Sequence, residues 1–325
     1  RYTIWMRYSM MRNKEKNFVS ATVYLYNSAE EVERFARMLI QTFEDNFEHS
    51  EIIFVNDCST DDSAGIVKKL SSIAATTSLS LLNMSYFQGR ETAMNAGLDM
   101  TIGDYVFEFD STFVDYSDQE IMDVYCQALE GFDIVSASPD KNRRRSSGIF
   151  YRIFDKFSET PYHMSSERFR VLSRRVINRV TSMNNKIPYR KAVYSQCGLR
   201  TKNSVYTAQK PDRKRADSME RAERHYRRNL GIDVLLLYTQ LGYRFYIGMT
   251  AVMIFTAVFM IAYSFIVYLF GNPVQGWTTT VLFLSFAFFG LFGLITIIIK
   301  YLQILVDLVF RRKRYSFESL EKLTK

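Results

Sequence analysis

Two short acidic segments, each closing a strand-like run, constrain this chain more than any other feature. Residues 51–63 read EIIFVNDCSTDDS, and residues 103–115 read GDYVFEFDSTFVD. In both, a β-branched and aromatic run ends in carboxylates followed by small polar residues. That pattern suits an open α/β sheet, whose ligands sit outside the carboxyl ends of its strands. A carboxylate placed there can accept from a ribose hydroxyl or a base N–H, or hold a divalent cation on a diphosphate.

The surrounding sequence supplies such a sheet. FVSATVYLY, residues 18–26, reads as a buried first strand, with Asn27 and Ser28 as N-caps of a helix bearing Val32, Phe35, Met38 and Leu39 at helical spacing. Further strands are predicted over 52–55, 79–84, 105–109 and 133–137, with helices over 61–73 and 90–100. Alternation of strand and helix implies a mainly parallel, Rossmann-like sheet with helices on both faces. On the 105–109 strand, the two-residue repeat puts Glu108 and Asp110 on one face.

Charge and hydropathy divide the chain. Residues 245–299 carry no charge, whereas the formal net charge of +8 gathers in basic clusters at 141–145, 213–228 and 311–314. Residues 246–270 and 277–299 are each long enough to cross a bilayer, and neither has a polar face. The uncharged link GNPVQG reads as a tight hairpin. Arg227, Arg228 and Arg244 precede the first span, and Lys300 with 311–314 follows the second. By the positive-inside rule, the large domain and both termini then lie in the cytoplasm. Trp277 reads as an interfacial anchor. Residues 146–158 place Ile149, Phe150, Ile153, Phe154 and Phe157 on one helical face beside a basic run. They suit either a helix lying on anionic lipid or an ordinary amphipathic helix packed on the domain. The expected organisation is an extension over 1–17, a cytoplasmic domain over 18–228, a juxtamembrane helix over 229–245, two spans, and a basic tail over 300–325.

Cys58, Cys126 and Cys197 show neither metal spacing nor a disulfide framework, which fits a reducing compartment. His163 and His225 lack partners at ligand spacing. No secretory signal is evident, and Met11 reads as a natural start. Nothing matches a nucleic-acid module, so anionic lipid, phosphorylated lipid or a sugar nucleotide accounts for the basic charge.

The first half resembles the family-2 glycosyltransferases, which have the nucleotide-diphospho-sugar transferase (GT-A) fold. VYLYNSAEE is similar to their opening strand and Asn-containing turn. EIIFVNDCSTDDS is similar to the strand ending in the nucleotide-binding Asp, and QGRETAMNAGLDMTIGDYVFEFDST to the helix leading into the metal-binding D-x-D strand. Over residues 18–320 the chain resembles the polyprenyl-phosphate branch. RFRVLSRRVINRV is similar to its Phe-Arg segment, and the paired apolar runs ending KYLQILVDLVFRRKRYSFESL match its tail.

The resemblance implies residue roles. Asp57 would contact the nucleotide base or ribose, with Asn27, Asn56 and Arg90 also at the donor. Asp110 and Asp115 would be the acidic catalytic positions, and Arg170 would meet phosphate. Arg213 and Arg215 would belong to an Arg-rich loop over the diphosphate. Asp110 with Thr112 would hold Mg2+ or Mn2+. The motif reads D-S-T, however, and a hydroxyl is a poorer ligand for a hard cation than a carboxylate. The metal would then be weakly held, or replaced by an arginine cluster. Arg168 stands at a position that is usually acidic.

The implied reaction is inverting transfer of a sugar from a nucleotide-diphospho-sugar to an undecaprenyl-type polyprenyl phosphate for cell-surface glycan assembly. The resemblance also implies a homotetramer. Thr112 and Arg168 motivate the alternative of a catalytically weak scaffold subunit. A processive polysaccharide synthase would need further spans and a Q-x-x-R-W motif, and neither is present.

Overall fold

The computed structural model describes residues 14–140, 167–182, 190–209, parts of 248–259, 276–310 and 315–324. The chain divides into two compact units: 1–155 with 160–230 and 313–325, and 156–159 with 231–312. Several sequence expectations lie outside the described residues. They are the basic run 141–145, the interfacial helix 146–158, His163, the cluster 213–228 with Arg213, Arg215 and His225, the juxtamembrane helix 229–245, most of 246–270, and 311–314.

The first unit opens with strand β1 (Val19–Leu25), helix α1 (Ala29–Asn46), strand β2 (Ser50–Asn56), helix α2 (Ser63–Leu70) and strand β3 (Ser78–Met84). Helix α3 (Arg90–Met100), strand β4 (Tyr105–Phe109), helix α4 (Asp118–Leu129) and strand β5 (Ile134–Pro139) follow. After 141–166 come strand β6 (Phe169–Ser173), helices α5 (Arg174–Ser182) and α6 (Arg190–Gln196), and strand β7 (Thr201–Tyr206). Helix α7 (Trp277–Phe310) belongs to the second unit, and strand β8 (Phe317–Lys322) returns to the first.

One eight-stranded sheet results, ordered β7-β5-β6-β4-β1-β2-β3-β8. Strands β6 and β8 run antiparallel to their neighbours, and the other pairings are parallel. The five expected strands are present, within two residues of their predicted ends. Strands β6, β7 and β8 were not expected. The largest difference is at the end of the chain, where the expected basic tail contains β8 paired along β3, with Leu81 opposite Glu321. Its alternation is weak because it is an edge strand with exposed side chains. No buried face imposes the two-residue signal that marked the central strands.

Alternation within the central strands sorts side chains into two layers. Val19, Ala21, Val23 and Leu25 of β1 face a core shared with α1, α2 and α4. Phe107, buried there, packs against Phe43, Phe47 and Tyr125. Tyr24 faces the opposite layer with Ile53, Val55, Leu82 and Met94, under α3. Helix α3 sits very close to the sheet. A Cβ added at Gly97 would lie 2.2 Å from Thr22 Oγ1 and 2.7 Å from Val55 Cγ2.

In the second unit, α7 is a 34-residue helix, and its sequence is uncharged from 277 to 299. Among the described residues, no helix is long and apolar enough to cross a membrane. Several side chains within α7 lie outside that description.

Gly97 tests the packing that positions α3. Ala in mid-helix gains about 1 kcal/mol in propensity over Gly, whereas overpacking costs about 1–3 kcal/mol. The contacts at 2.2 and 2.7 Å are far inside normal separation, so the packing cost wins. Gly97→Ala is expected to lower stability in urea denaturation, and Gly97→Val more so.

Candidate active site

The strand order places a switch point between β1 and β4. The chain runs outward from β1 through β2 to β3, then crosses back to β4 on the other side of β1. Ligands of open α/β sheets bind at the carboxyl ends of strands beside such a point. Asn27, Asp57 and Asp110 follow the ends of β1, β2 and β4 there.

The loops after β1 and β2 are laced together. Asn27 takes a left-handed backbone, with φ of 47°, a conformation in which Asn is enriched. Its Oδ1 accepts from the Thr60 N–H at 2.8 Å and the Thr60 hydroxyl at 3.2 Å. Asn56 accepts from the Ser59 N–H at 3.0 Å and donates to Asn83 Oδ1 at 3.0 Å. Asp61 reaches across the loops, where Oδ2 accepts from the Ala29 N–H at 2.8 Å and Oδ1 from the Ser63 N–H at 3.1 Å. The side-chain cap of α1 therefore comes from Asp61. Ser28 stands at the N-cap position, but its hydroxyl donates to the Tyr26 carbonyl. Burial would raise the pKa of Asp61, but its bonds to Ser63 and Ala29 prevail and lower it.

Asp57 is fully buried, and both its oxygens are engaged. Oδ1 accepts from the Gln88 N–H at 2.8 Å, and Oδ2 from the Gly89 N–H at 2.9 Å and the Tyr24 hydroxyl at 3.0 Å. It holds the turn that opens α3. Burial pushes its pKa up, opposed by those same bonds. Gln88 also grips the end of the chain: its side chain donates to the Ser316 carbonyl and accepts from the Ser316 N–H at 3.0 Å.

A dense ionic cluster lies at the end of β4. Glu108 and Asp110 share a face, as strand alternation required, and both meet Arg170 and Arg190. Arg170, opposite Glu108 in the β4–β6 register, contacts Glu108 Oε2 at 3.0 Å, Asp110 Oδ2 at 3.0 Å and Glu167 at 3.2 Å. Arg190 contacts Glu91 at 3.1 Å, Glu108 Oε1 at 2.7 Å and Asp110 Oδ1 at 2.6 Å. The Tyr194 hydroxyl donates to Glu108 at 2.8 Å, and Lys191 lies 3.7 Å from Glu167. Both arginines are 1% exposed. Burial alone would raise the pKa of Asp110, but Arg190, then Arg170, Arg90 and Lys191, hold it far below the usual carboxylate range.

Asp115 is equally committed. Arg168 donates to Oδ2 through Nε at 3.0 Å and Nη2 at 2.8 Å, and the Tyr206 hydroxyl donates to Oδ1 at 2.6 Å. Arg168, at the position usually acidic in the resembled branch, thus has an acid as its partner. Thr112 is buried and donates to Glu31 at 3.3 Å. These contacts differ from the expected pairing of Asp110 with Thr112 around a metal. Asp110 binds two guanidiniums instead, and Thr112 turns to α1. The structure does bring Asp110 and Arg170 together, with Arg90 close enough to act on Asp110 by charge.

Sequence reasoning missed Arg190, Glu91, Glu167 and Tyr194 as members of this cluster. Arg190 is one of 42 Lys and Arg residues and opens a short helix with no strand-end motif. Nothing local distinguishes it. Its role arises only when α6 is laid against β4 and α3.

Acids at a switch point, on a sheet with helices on both faces, fit the nucleotide-diphospho-sugar transferase type of domain that the resemblance implied. Residues 20–181 match the model of Glycosyl transferase family 2. Those residues are a domain of that family. An uncharacterized glycosyltransferase of Synechocystis is 23% identical over 190 residues, 56% of this chain, and the chain spans 58% of that protein's length. The bactoprenol glucosyl transferase of Shigella phage SfX is 25% identical over 284 residues, covering 82% of this chain and 88% of that protein. The prophage bactoprenol glucosyl transferase homolog of Escherichia coli is 25% identical over 288 residues, covering 84% and 88%. Among solved structures, a mannosyltransferase from Pyrobaculum calidifontis in complex with GDP-Man and Mn2+ aligns with a TM-score of 0.45 and 15% identity, covering 88% of this chain and 92% of that one. That likeness is too distant to bear on the chemistry.

The divalent ion implied by the resemblance does not fit the residues present. Both oxygens of Asp110 are ion-paired, Thr112 is turned away, and Asp115 is held by Arg168 and Tyr206. Among the described residues, no group of three or more His, Cys, Asp or Glu side chains could hold a metal.

The cluster sets an acid limit on stability. The depressed pKa of Asp110 stabilises the fold above the ordinary value of 3.8, and this contribution is lost as pH falls through the lower folded value. Unfolding midpoints measured at stepwise lower pH should drop below about pH 4. Glu108→Gln removes a charge between two buried guanidiniums and should cost about 3–5 kcal/mol in urea denaturation.

Proposed function

We propose that this glycosyltransferase moves a sugar from a nucleoside-diphosphate sugar to a polyprenyl phosphate at the cytoplasmic face of a membrane. The observation that carries the reading is the extent of the similarity to the bactoprenol glucosyl transferases. It runs over 284 residues, far beyond the family domain at 20–181, and so includes part of the apolar carboxyl-terminal region. In this reading 246–270 and 277–299 cross the bilayer. Basic residues flank both spans, as the positive-inside rule asks, and would favour anionic headgroups.

The chemistry suits what the side chains offer. One oxygen of the lipid phosphate attacks the anomeric carbon from the face opposite the leaving group. The new C–O bond forms as the bond to the nucleoside diphosphate breaks, and the electron pair leaves with the diphosphate. The acceptor is already an anion at neutral pH, so no carboxylate needs to take a proton. The full commitment of Asp110 and Asp115 to arginine and tyrosine partners is compatible with that route. It would not suit a hydroxyl acceptor. Alignment of the two substrates and stabilisation of the departing charge remain the tasks of the protein.

Full-length protein in detergent, given undecaprenyl phosphate and radiolabelled UDP-glucose or GDP-mannose, should transfer label into the organic phase with inversion at the anomeric carbon. Label appearing only on a hydroxyl acceptor, or as long-chain polymer, would refute the lipid-phosphate reading. No turnover, together with a stoichiometric co-purifying protein, would point to a scaffold subunit.

A further inference from the structure

The ionic cluster at the end of β4 has the composition of a metal site in which the cation is already supplied. Four carboxylates, from Glu91, Glu108, Asp110 and Glu167, meet Arg170, Arg190 and Lys191 at ion-pair distance. Arg90 adds a fourth positive charge within electrostatic reach of Asp110. Among the described residues, the cluster therefore has no excess negative charge to attract a dication. A dication would also have to displace a guanidinium, because Arg190 Nη2 stands 2.6 Å from Asp110 Oδ1 and Arg170 Nη2 stands 3.0 Å from Oδ2. Glu108 Oε2 makes no hydrogen bond, but its nearest charge is also positive, Arg170 Nη1 at 3.0 Å.

The Thr112 hydroxyl donates to Glu31 on α1 and adds no charge beside Asp110. Arg190 is anchored as a resident ion would be. Its Nε, Nη1 and Nη2 each donate to a different carboxylate, on α3, on β4 and just beyond β4. A planar guanidinium with donors along three edges can bridge three acids in a way that an ammonium cannot.

We propose that Arg190, seconded by Arg170, is the built-in counter-cation of Asp110, and that this chain takes its sugar nucleotide with no divalent ion at that carboxylate. The proposal rests on the donor reading above and deepens it: the leaving diphosphate must be met by cationic side chains and backbone N–H groups. Arg190 acts through Asp110 and Glu108, and so is a positioning residue.

The test separates metal from donor. The full chain in detergent is titrated with Mn2+ alone, and the free Mn2+ signal is read by electron paramagnetic resonance. The wild-type protein should show no saturable binding up to about 1 mM, the weak end of carboxylate sites. Arg190→Gln removes the guanidinium charge from Asp110, Glu108 and Glu91 and frees Asp110 Oδ1, and should acquire Mn2+ binding. Arg190→Lys, which keeps the charge, should not. Binding of UDP-glucose and GDP-mannose to the wild type is measured with EDTA and with Mn2+, and should differ by less than about threefold, under 1 kcal/mol. Saturable Mn2+ binding by the wild type that Asp110→Asn removes would overturn the proposal. So would donor binding that appears only with Mn2+. If Arg190→Gln does not fold, the wild-type titration decides on its own. If no sugar nucleotide binds in either arm, the donor reading falls, and the Mn2+ titration still decides the counter-cation.

Discussion

Glu108 is held between two buried guanidiniums, and the arrangement of the catalytic end of the sheet depends on that contact. It joins β4 to β6 through Arg170, directly opposite in the ladder, and to α6 through Arg190 and Tyr194. Arg190 extends the connection to Glu91, in the first turn of α3. The residues just before that turn, Gln88 and Gly89, hold Asp57 at the end of β2. A continuous polar path thus runs from the acid after β2 to the acid after β4 through the start of one helix. Ions removed from water are costly unless each meets partners in good geometry, so every member constrains the others.

That interdependence explains how the domain can depart from the D-x-D pattern and keep its architecture. In the proposed reading, the arginines of β6 and α6, ion-paired to Asp110, take the place of a cation between two carboxylates after β4. Arg168 and Asp115 follow the same logic a few residues away: an arginine stands at a usually acidic position, and an acid downstream pairs with it. The proposed phosphate acceptor would tolerate this, because its nucleophile needs no base.

Much of this was legible in the sequence, for physical reasons that can be named. Central strands buried on both faces read as largely apolar runs, and β1, β2 and β4 announced themselves in that way. The carboxylates that end β2 and β4 were visible because a charge closing such a run has few reasons to be there. The alternation that put Glu108 beside Asp110 needed only the two-residue repeat. The cap of α1 was misplaced: local sequence offered Asn27 and Ser28, but Asp61 reached in from a neighbouring loop. Strand β8 went unread, since an exposed edge strand carries little hydrophobic pattern and its pairing with β3 joins residues more than two hundred positions apart.

The sequence by itself determined the α/β class, the switch-point acids and the uncharged stretch from 245 to 299, because each rests on a pattern repeated over adjacent residues. Only the tertiary structure decided what those acids do. Charge partners are chosen by proximity in space, and Arg190 lies about eighty positions from the acid it neutralises. No local rule distinguishes it from the other cations of a basic chain. Packing α6 against β4 does, because a buried carboxylate is stable as an anion only where a cation is brought to it.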